Sequence, residues 1–162
     1  MSMTHLKEAL IDEMKDLYSA EQQLAEVLPK MAEKATDSAL KAGFTKHLGE
    51  TQTQISRLEK AFGLLGETPA AVTCEAMKGI LKEGRHLMSE DASPEVKDAM
   101  LIAAAQKVEH YEITTYGTIC TWAETIGAND VKELLGQSLN EEELTNKKLS
   151  EIAERGINLK AV

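Results

Sequence analysis

Apolar side chains recur every three or four residues along most of this chain, the spacing that gives a helix one greasy side, and five such stretches predict five helices. The first spans Met1 to Ala35, with Leu6, Leu10, Leu17, Leu24, Leu28 and Met31 on one stripe and Thr4 as the expected N-cap. Pro29 lacks an N–H and presses on the carbonyl of Ala25, so a kink is expected one to two turns beyond Glu21. Thr36 and Asp37 then cap a second helix running to about Leu65, stopped by Gly66 and Pro69, with Phe44, Leu48, Ile55, Leu58, Phe62 and Leu65 inward. A shorter helix is expected from about Val72 to Ser89, burying Met77, Ile80, Leu81, Leu87 and Met88. Ser93 followed by Pro94 starts the fourth, which continues to Ile126. After the turn signal Gly127-Ala128-Asn129-Asp130, the last helix runs to about Glu154, with Val131, Leu135, Leu139, Leu149 and Ile152 on its stripe. Short hydrophilic connections favour antiparallel neighbours, so the expectation is an all-α four-helix bundle with an additional short helix. One domain is expected over 1–158, the chain loosening from Gly156 into a tail at 159–162.

The pattern breaks in the same way on each long helix. The stripe of the fourth, Leu101, Ile102, Ala105, Val108, Ile119 and Ala123, also contains Glu109, Glu112 and Tyr116. Glu21 falls in the stripe of the first helix and Glu142 in that of the last, with Thr145 and Asn146 a turn further on. On the second helix His47, Glu50 and Gln54, three and four apart, can face one volume. Unpaired buried carboxylates cost several kcal/mol each, so acids in such places call for protons, basic partners or metal. All five lie away from helix ends, and mid-helix positions of an antiparallel bundle meet in one layer. Two divalent ions would cancel most of that charge, with one or two glutamates bridging; oxygen ligands with at most one nitrogen suit iron or manganese better than zinc or copper. The predicted metal set is therefore Glu21, Glu50, Glu109, Glu112, Glu142 and His47.

Bland readings compete with this one. Any single glutamate can lie at a stripe edge and reach water or a lysine. A metal-free cluster, protonated and hydrogen-bonded to Tyr18, Tyr116, Gln54 and Asn146, is the structural alternative. The one literal Glu-x-x-His, Glu83 to His86, falls on the outer side of the short helix and is read as a decoy; His110 also points away from the acidic face. Of the triplet Glu141-Glu142-Glu143, only Glu142 is expected to turn inward. Tyr116 reads first as an amphipathic core tyrosine needing a partner for its hydroxyl. No glycine-rich phosphate loop, nucleophile elbow or catalytic triad signal is present.

Composition narrows the surroundings. A chain of 162 residues suits a single domain, which at this size buries roughly 70% of its unfolded surface. Twenty-seven acidic against 18 basic residues, a formal charge of −9, argue against nucleic acid as a partner. No apolar run nears the ~20 residues of a membrane span, and Cys74 and Cys120 lack zinc-site spacing. The reading is a soluble cytoplasmic protein with reduced thiols and no membrane partner.

The segments Tyr18-Ser19-Ala20-Glu21, His47-Leu48-Gly49-Glu50-Thr51, Cys74-Glu75-Ala76-Met77-Lys78-Gly79 and, most specifically, Ala103 through Glu112, AAAQKVEHYE, resemble the YciE/YciF family of bacterial stress proteins. The likeness covers nearly the whole chain. It implies a ferritin-like fold, a homodimer, and kinship with rubrerythrin-type carboxylate-bridged metal proteins, whose inward acids correspond to Glu21, Glu50, Glu109, Glu112 and Glu142. Two departures remove ligands: Asn146 where relatives often carry aspartate, and Thr53, three after Glu50, where rubrerythrin-type bundles carry histidine. The functional expectation is a di-iron or di-manganese centre reacting with peroxide or dioxygen, its redox partner unidentified, against a metal-free helical dimer induced by stress.

Overall fold

The computed structural model describes residues 3–162. Four long helices, α1 (Leu6–Lys34), α2 (Ser38–Leu64), α4 (Pro94–Thr125) and α5 (Asn129–Ile152), pack as a square in which α1 touches α2 and α4, and α5 touches the same two. The short α3 (Glu75–Ser89) lies outside the square against α4 and α1. Tight turns make α1–α2 and α4–α5 antiparallel hairpins. Asp98, in the first turns of α4, bonds Thr36 at the end of α1, so α4 starts where α1 ends and runs alongside α2 in the same direction. The segment containing α3 is thus the one long crossover, returning the chain along the bundle. This is the all-α, ferritin-like four-helix bundle with an additional short helix, and no strand occurs among the described residues.

Most helix ends follow from local chemistry. Asp37 accepts from Ala39 N and Leu40 N at the start of α2, and Ser93 accepts from Val96 N ahead of Pro94. At the far ends of α2 and α4, Gly66 and Gly127 each take φ +78°, where a side chain would be strained, while Glu67 N and Ala128 N close back on Phe62 O and Ala123 O. α1 remains one helix through Pro29, which lies on its solvent side.

Three local expectations need correction. His5, not Thr4, is the N-cap of α1, because Glu8 reaches back to accept from both Thr4 N (2.6 Å) and His5 N (3.0 Å). α3 begins at Glu75 instead of Val72, since α1 claims the preceding backbone: Val72 N donates to Lys15 O, Cys74 N to Ser19 Oγ, and Gln23 Nε2 to Cys74 O. The chain does not loosen at Gly156. It makes a π-helical turn over Ala153–Ile157 and a last helical turn, α6 (Asn158–Lys160), because Ala153 and Ile157 bury against the core. Beyond Ile157 most side chains face out, Leu159 and Val162 among them.

Two apolar zones fill the bundle. One holds Leu10, Leu17, Leu58, Phe62, Ile119 and Leu135; the other holds Leu28, Met31, Leu40, Phe44, Leu101 and Leu149. Between them lies a buried polar layer. The end of the second zone is fastened by buried Asp98, whose carboxylate accepts from Thr36 N (2.8 Å), Thr36 Oγ1 (2.6 Å) and Asp37 N (2.8 Å). One side chain thereby joins the ends of three helices. Asp98→Ala removes all three bonds, and hydrogen bonds to a charged acceptor contribute about 1.5–3 kcal/mol each before solvent compensation. The expected result is a net loss of about 3 kcal/mol in denaturant unfolding, with the helical circular dichroism of the folded state retained.

Candidate metal centre

Each long helix contributes to the polar layer at the position its stripe predicts. From α1 comes Glu21; from α2, His47, Thr51 and Gln54 at i, i+4 and i+7; from α4, Glu109, Glu112 and Tyr116 at i, i+3 and i+7; from α5, Ser138 and Glu142 at i and i+4. All are buried, and Glu21, Thr51, Gln54, Glu112, Tyr116, Ser138 and Glu142 are wholly inaccessible. His47 Nε2 lies 3.2 Å from Glu109 Oε1 and 3.7 Å from Glu142 Oε2, and His47 Nδ1 lies 3.7 Å from Glu50 Oε2. One donor atom from each of His47, Glu109, Glu112 and Glu142 falls within 4.8 Å of the others. Beside them the Tyr116 hydroxyl donates to Glu21 Oε1 at 2.5 Å.

These groups share one electrostatic problem. Burial favours the uncharged acid and raises the pKa of Glu21 to about 7, even though the Tyr116 hydrogen bond pulls the other way. Burial, reinforced by the neighbouring acids, pushes Glu112 well above the carboxylate range. Glu142 also rises, chiefly through burial, despite the proximity of His47. Burial disfavours a charged His47, yet the surrounding carboxylates, Glu109 foremost, outweigh it and raise the imidazole pKa well above 6.5. Tyr116 stays protonated because burial and the adjacent Glu21 oppose a phenolate.

The layer nonetheless lacks partners. Both oxygens of Glu112, both nitrogens of His47 and one oxygen each of Glu21, Glu109 and Glu142 are buried without a hydrogen bond. Leaving such a group unsatisfied costs about 1–3 kcal/mol, and here the orphaned atoms converge on one volume. A cation would satisfy them together. Carboxylate oxygens with one imidazole nitrogen fit iron or manganese by ligand type. The residues present therefore fit the expected metal.

A second ring of contacts fixes the donors. Gln54 Nε2 donates to Glu142 Oε1 and, at 3.1 Å, to Glu141 Oε2. Arg57 grips Glu141 through two bonds of 2.7 and 2.8 Å and reaches Ser138 Oγ at 3.2 Å. This corrects the reading of the acidic triplet, because Glu141 also turns partly inward to meet Arg57. Arg57 had not been singled out. Its place three residues after Gln54, on the same helical face, was the available signal.

Of the predicted ligands, Glu21, His47, Glu109, Glu112 and Glu142 meet in the layer. Glu50 stands at its rim, half-buried, paired with exposed Lys46 and lowered in pKa first by the His47 imidazole 3.7 Å away. His47 sits inside the cluster. Glu83, His86 and His110 face solvent. Of the four donors proposed for a metal-free cluster, Tyr116 and Gln54 do bond its acids, whereas Tyr18 bonds Glu59 and Asn146 accepts from Gln106.

Fold and layer together define a ferritin-like bundle with an inward cluster of acids and one histidine. The chain belongs to the family described as Domain of unknown function (DUF892), which matches residues 5–162. It is 39% identical to Protein YciF of Escherichia coli (strain K12) over 162 residues, covering 99% of this chain and 98% of that protein. The crystal structure of the E. coli stress protein YciF superimposes with a TM-score of 0.92 at 38% identity, covering 96% of this chain and 99% of the other. YcfI from Rhodopseudomonas palustris, described as a candidate structural protein, gives 0.89 at 44% identity over 92% and 95% of the two chains. A protein from Xanthomonas campestris pv. campestris, 19% identical over 95% and 94%, gives 0.75 and shares the fold. The resemblance carried by the Ala103–Glu112 segment thus holds across the chain.

The pKa directions fix a pH dependence for the metal-free protein. Folded Glu21 keeps its proton up to about pH 7 and the unfolded chain releases it near 4.5, so its contribution is present below 4.5 and lost as pH rises through 7. Raised His47 acts with the same sign above pH 6.5, and lowered Glu50 acts only below 4.5. Chelator-treated protein should therefore show a falling Tm in thermal melts between pH 4.5 and 8.

Proposed function

We propose that this is a ferritin-like stress-response protein whose bundle core holds iron or manganese, two ions at full occupancy, and reacts with peroxide or dioxygen. The single observation that carries the reading is the convergence of unpartnered buried donors from α2, α4 and α5 on one volume, with Glu21 of α1 beside them. His47, Glu109, Glu112 and Glu142 would hold the metal first, with Glu21 and Glu50 flanking them as ligands for a second ion. When bound, iron or manganese supplies Lewis-acid and redox chemistry toward the peroxide or dioxygen oxygens.

The chain's own residues do the rest. Tyr116 aims Glu21 by donating to it, and remaining protonated it offers a proton inside the layer. Gln54 orients Glu142, and Arg57 with Glu141 restrains Gln54. The apolar zones on either side exclude water, which strengthens every charge interaction between them. Assembly as a homodimer in the cytoplasm completes the proposal.

The second reading is a metal-free structural dimer with its glutamates protonated. The raised pKa of Glu21, Glu112 and Glu142, together with the Tyr116 hydrogen bond, favours it. The two readings part experimentally. Protein produced with added iron or manganese should contain up to two ions per chain by elemental analysis, and markedly fewer in Glu109→Ala. At a free ion concentration 100 times the Kd, loading should add about 2.7 kcal/mol, roughly 5–10 °C in Tm for a domain of this size. Metal-free protein whose stability ignores both chelator and added ion would reject the first reading.

Glu112→Gln gives a further contrast. Above pH 7 it should raise the Tm of metal-free protein, because the amide removes the cost of forcing a proton onto a carboxyl that the unfolded chain ionises, and lower that of loaded protein, because a ligand is lost.

A further inference from the structure

Beside the polar layer, toward the end of the bundle where α1 stops and α2 starts, the four long helices enclose a cavity of about 300 Å³. Its walls are aliphatic and aromatic: Leu24, Leu28 and Met31 of α1, Phe44 of α2, Val108 of α4 and Leu149 of α5. Its floor is the edge of the candidate centre, where His47 and Glu109 present buried polar atoms with no partner. Its mouth carries Lys46 and Lys148, whose side chains are 72% and 65% exposed. Gly43, one turn before His47 on the same helical face, lines the space, and a Cβ built on it meets no atom within 4 Å.

Such a dry-walled chamber with a polar floor constrains its occupant. Apolar walls select a hydrocarbon chain, and the volume lies at the small end of ligand sites. Glu50 and Glu109 at the floor repel a carboxylate or phosphate. The unpartnered Glu109 oxygen asks for a donor, whereas the His47 imidazole offers an N–H donor in any protonation state. A group able both to give and to accept a hydrogen bond meets these demands. We propose that the cavity binds an uncharged medium-chain aliphatic molecule ending in a hydroxyl or hydroperoxyl group, its chain along α1 and α5 and its oxygen at His47 and Glu109. This deepens the functional reading: an alkyl hydroperoxide would be the reactive ligand of a peroxide-reacting centre. The hydroperoxide assignment rests on that reading; the pocket and its alcohol ligand do not.

Titration calorimetry with n-octanol as the stable probe, on metal-free and metal-loaded protein, tests the proposal. The expected result is saturation at one molecule per chain, with octanoate at least tenfold weaker. Gly43→Leu should fill the chamber and weaken octanol binding at least tenfold, while keeping wild-type metal content and a Tm no lower than wild type, since leucine favours helix over glycine. No saturable binding up to the solubility limit of octanol would overturn the proposal, as would equal binding by Gly43→Leu or tighter binding of octanoate. A changed oligomeric mass for Gly43→Leu would also overturn it, showing this face to be a contact between copies. Metal content of the samples exposed to iron or manganese separates the two claims: octanol binding by protein that retains no ions after loading defeats the metal reading and leaves the pocket, and retained ions without octanol binding do the reverse.

Discussion

The structure is governed by the expense of keeping carboxylates away from water. Glu21, Glu112 and Glu142 are wholly buried and Glu109 nearly so, in a bundle otherwise filled by leucine, methionine and alanine. The effective penalty for burying an ion is several kcal/mol, and whole domains are stable by only about 5–15 kcal/mol. The molecule cannot carry that layer as bare anions. Every other feature of the middle of the bundle reads as a response: Tyr116 against Glu21, Gln54 against Glu142, and His47 placed where the acids surround it. What these contacts leave over is a set of donors without partners, and that remainder is the argument for a cation.

Much of this was legible in the sequence because helical periodicity is regular. Glu21, Glu109, Glu112 and Glu142 interrupt apolar stripes, and a residue on a stripe must face the core wherever the helix packs. The turn glycines and the Ser93-Pro94 start were equally readable, being local chemistry. What escaped was chemistry between elements. Asp98 sits near the start of α4 and looks like an ordinary first-turn acid; only docking against the α1–α2 turn gives it three donors. Arg57 and Glu141, distant in sequence, show their pairing only when α2 meets α5. Glu50 was read as equal to the other acids, but its position on the flank of α2 leaves it at the rim, within reach of Lys46. The end of the chain was misjudged because a stripe too short to announce itself, Ala153 and Ile157, suffices to bury a π-helical turn.

The layer is also asymmetric. On the Gln54 and Arg57 side, donors and a bidentate ion pair hold Glu142 and Glu141 firmly. On the His47 side, the contacts with Glu109, Glu50 and Glu142 lie at ion-pair distances without hydrogen-bond alignment. Acids held on one side and loose on the other can shift modestly to accommodate an ion while the scaffold stays put. The aliphatic cavity opens on that looser side.

The crossover through α3 divides the candidate ligands between two separate units of the chain. Glu21, His47 and Glu50 belong to the first hairpin, Glu109, Glu112 and Glu142 to the second. During synthesis the first hairpin emerges with only an incomplete set, too sparse and too wet to retain an ion firmly. Under the proposed metal reading, ion capture would await the docking of the two halves, after the ribosome has released Glu142. Assembly of the donor cluster is in this way tied to the last folding event, and a truncated or unfinished chain lacks part of the set that the proposed ion would need.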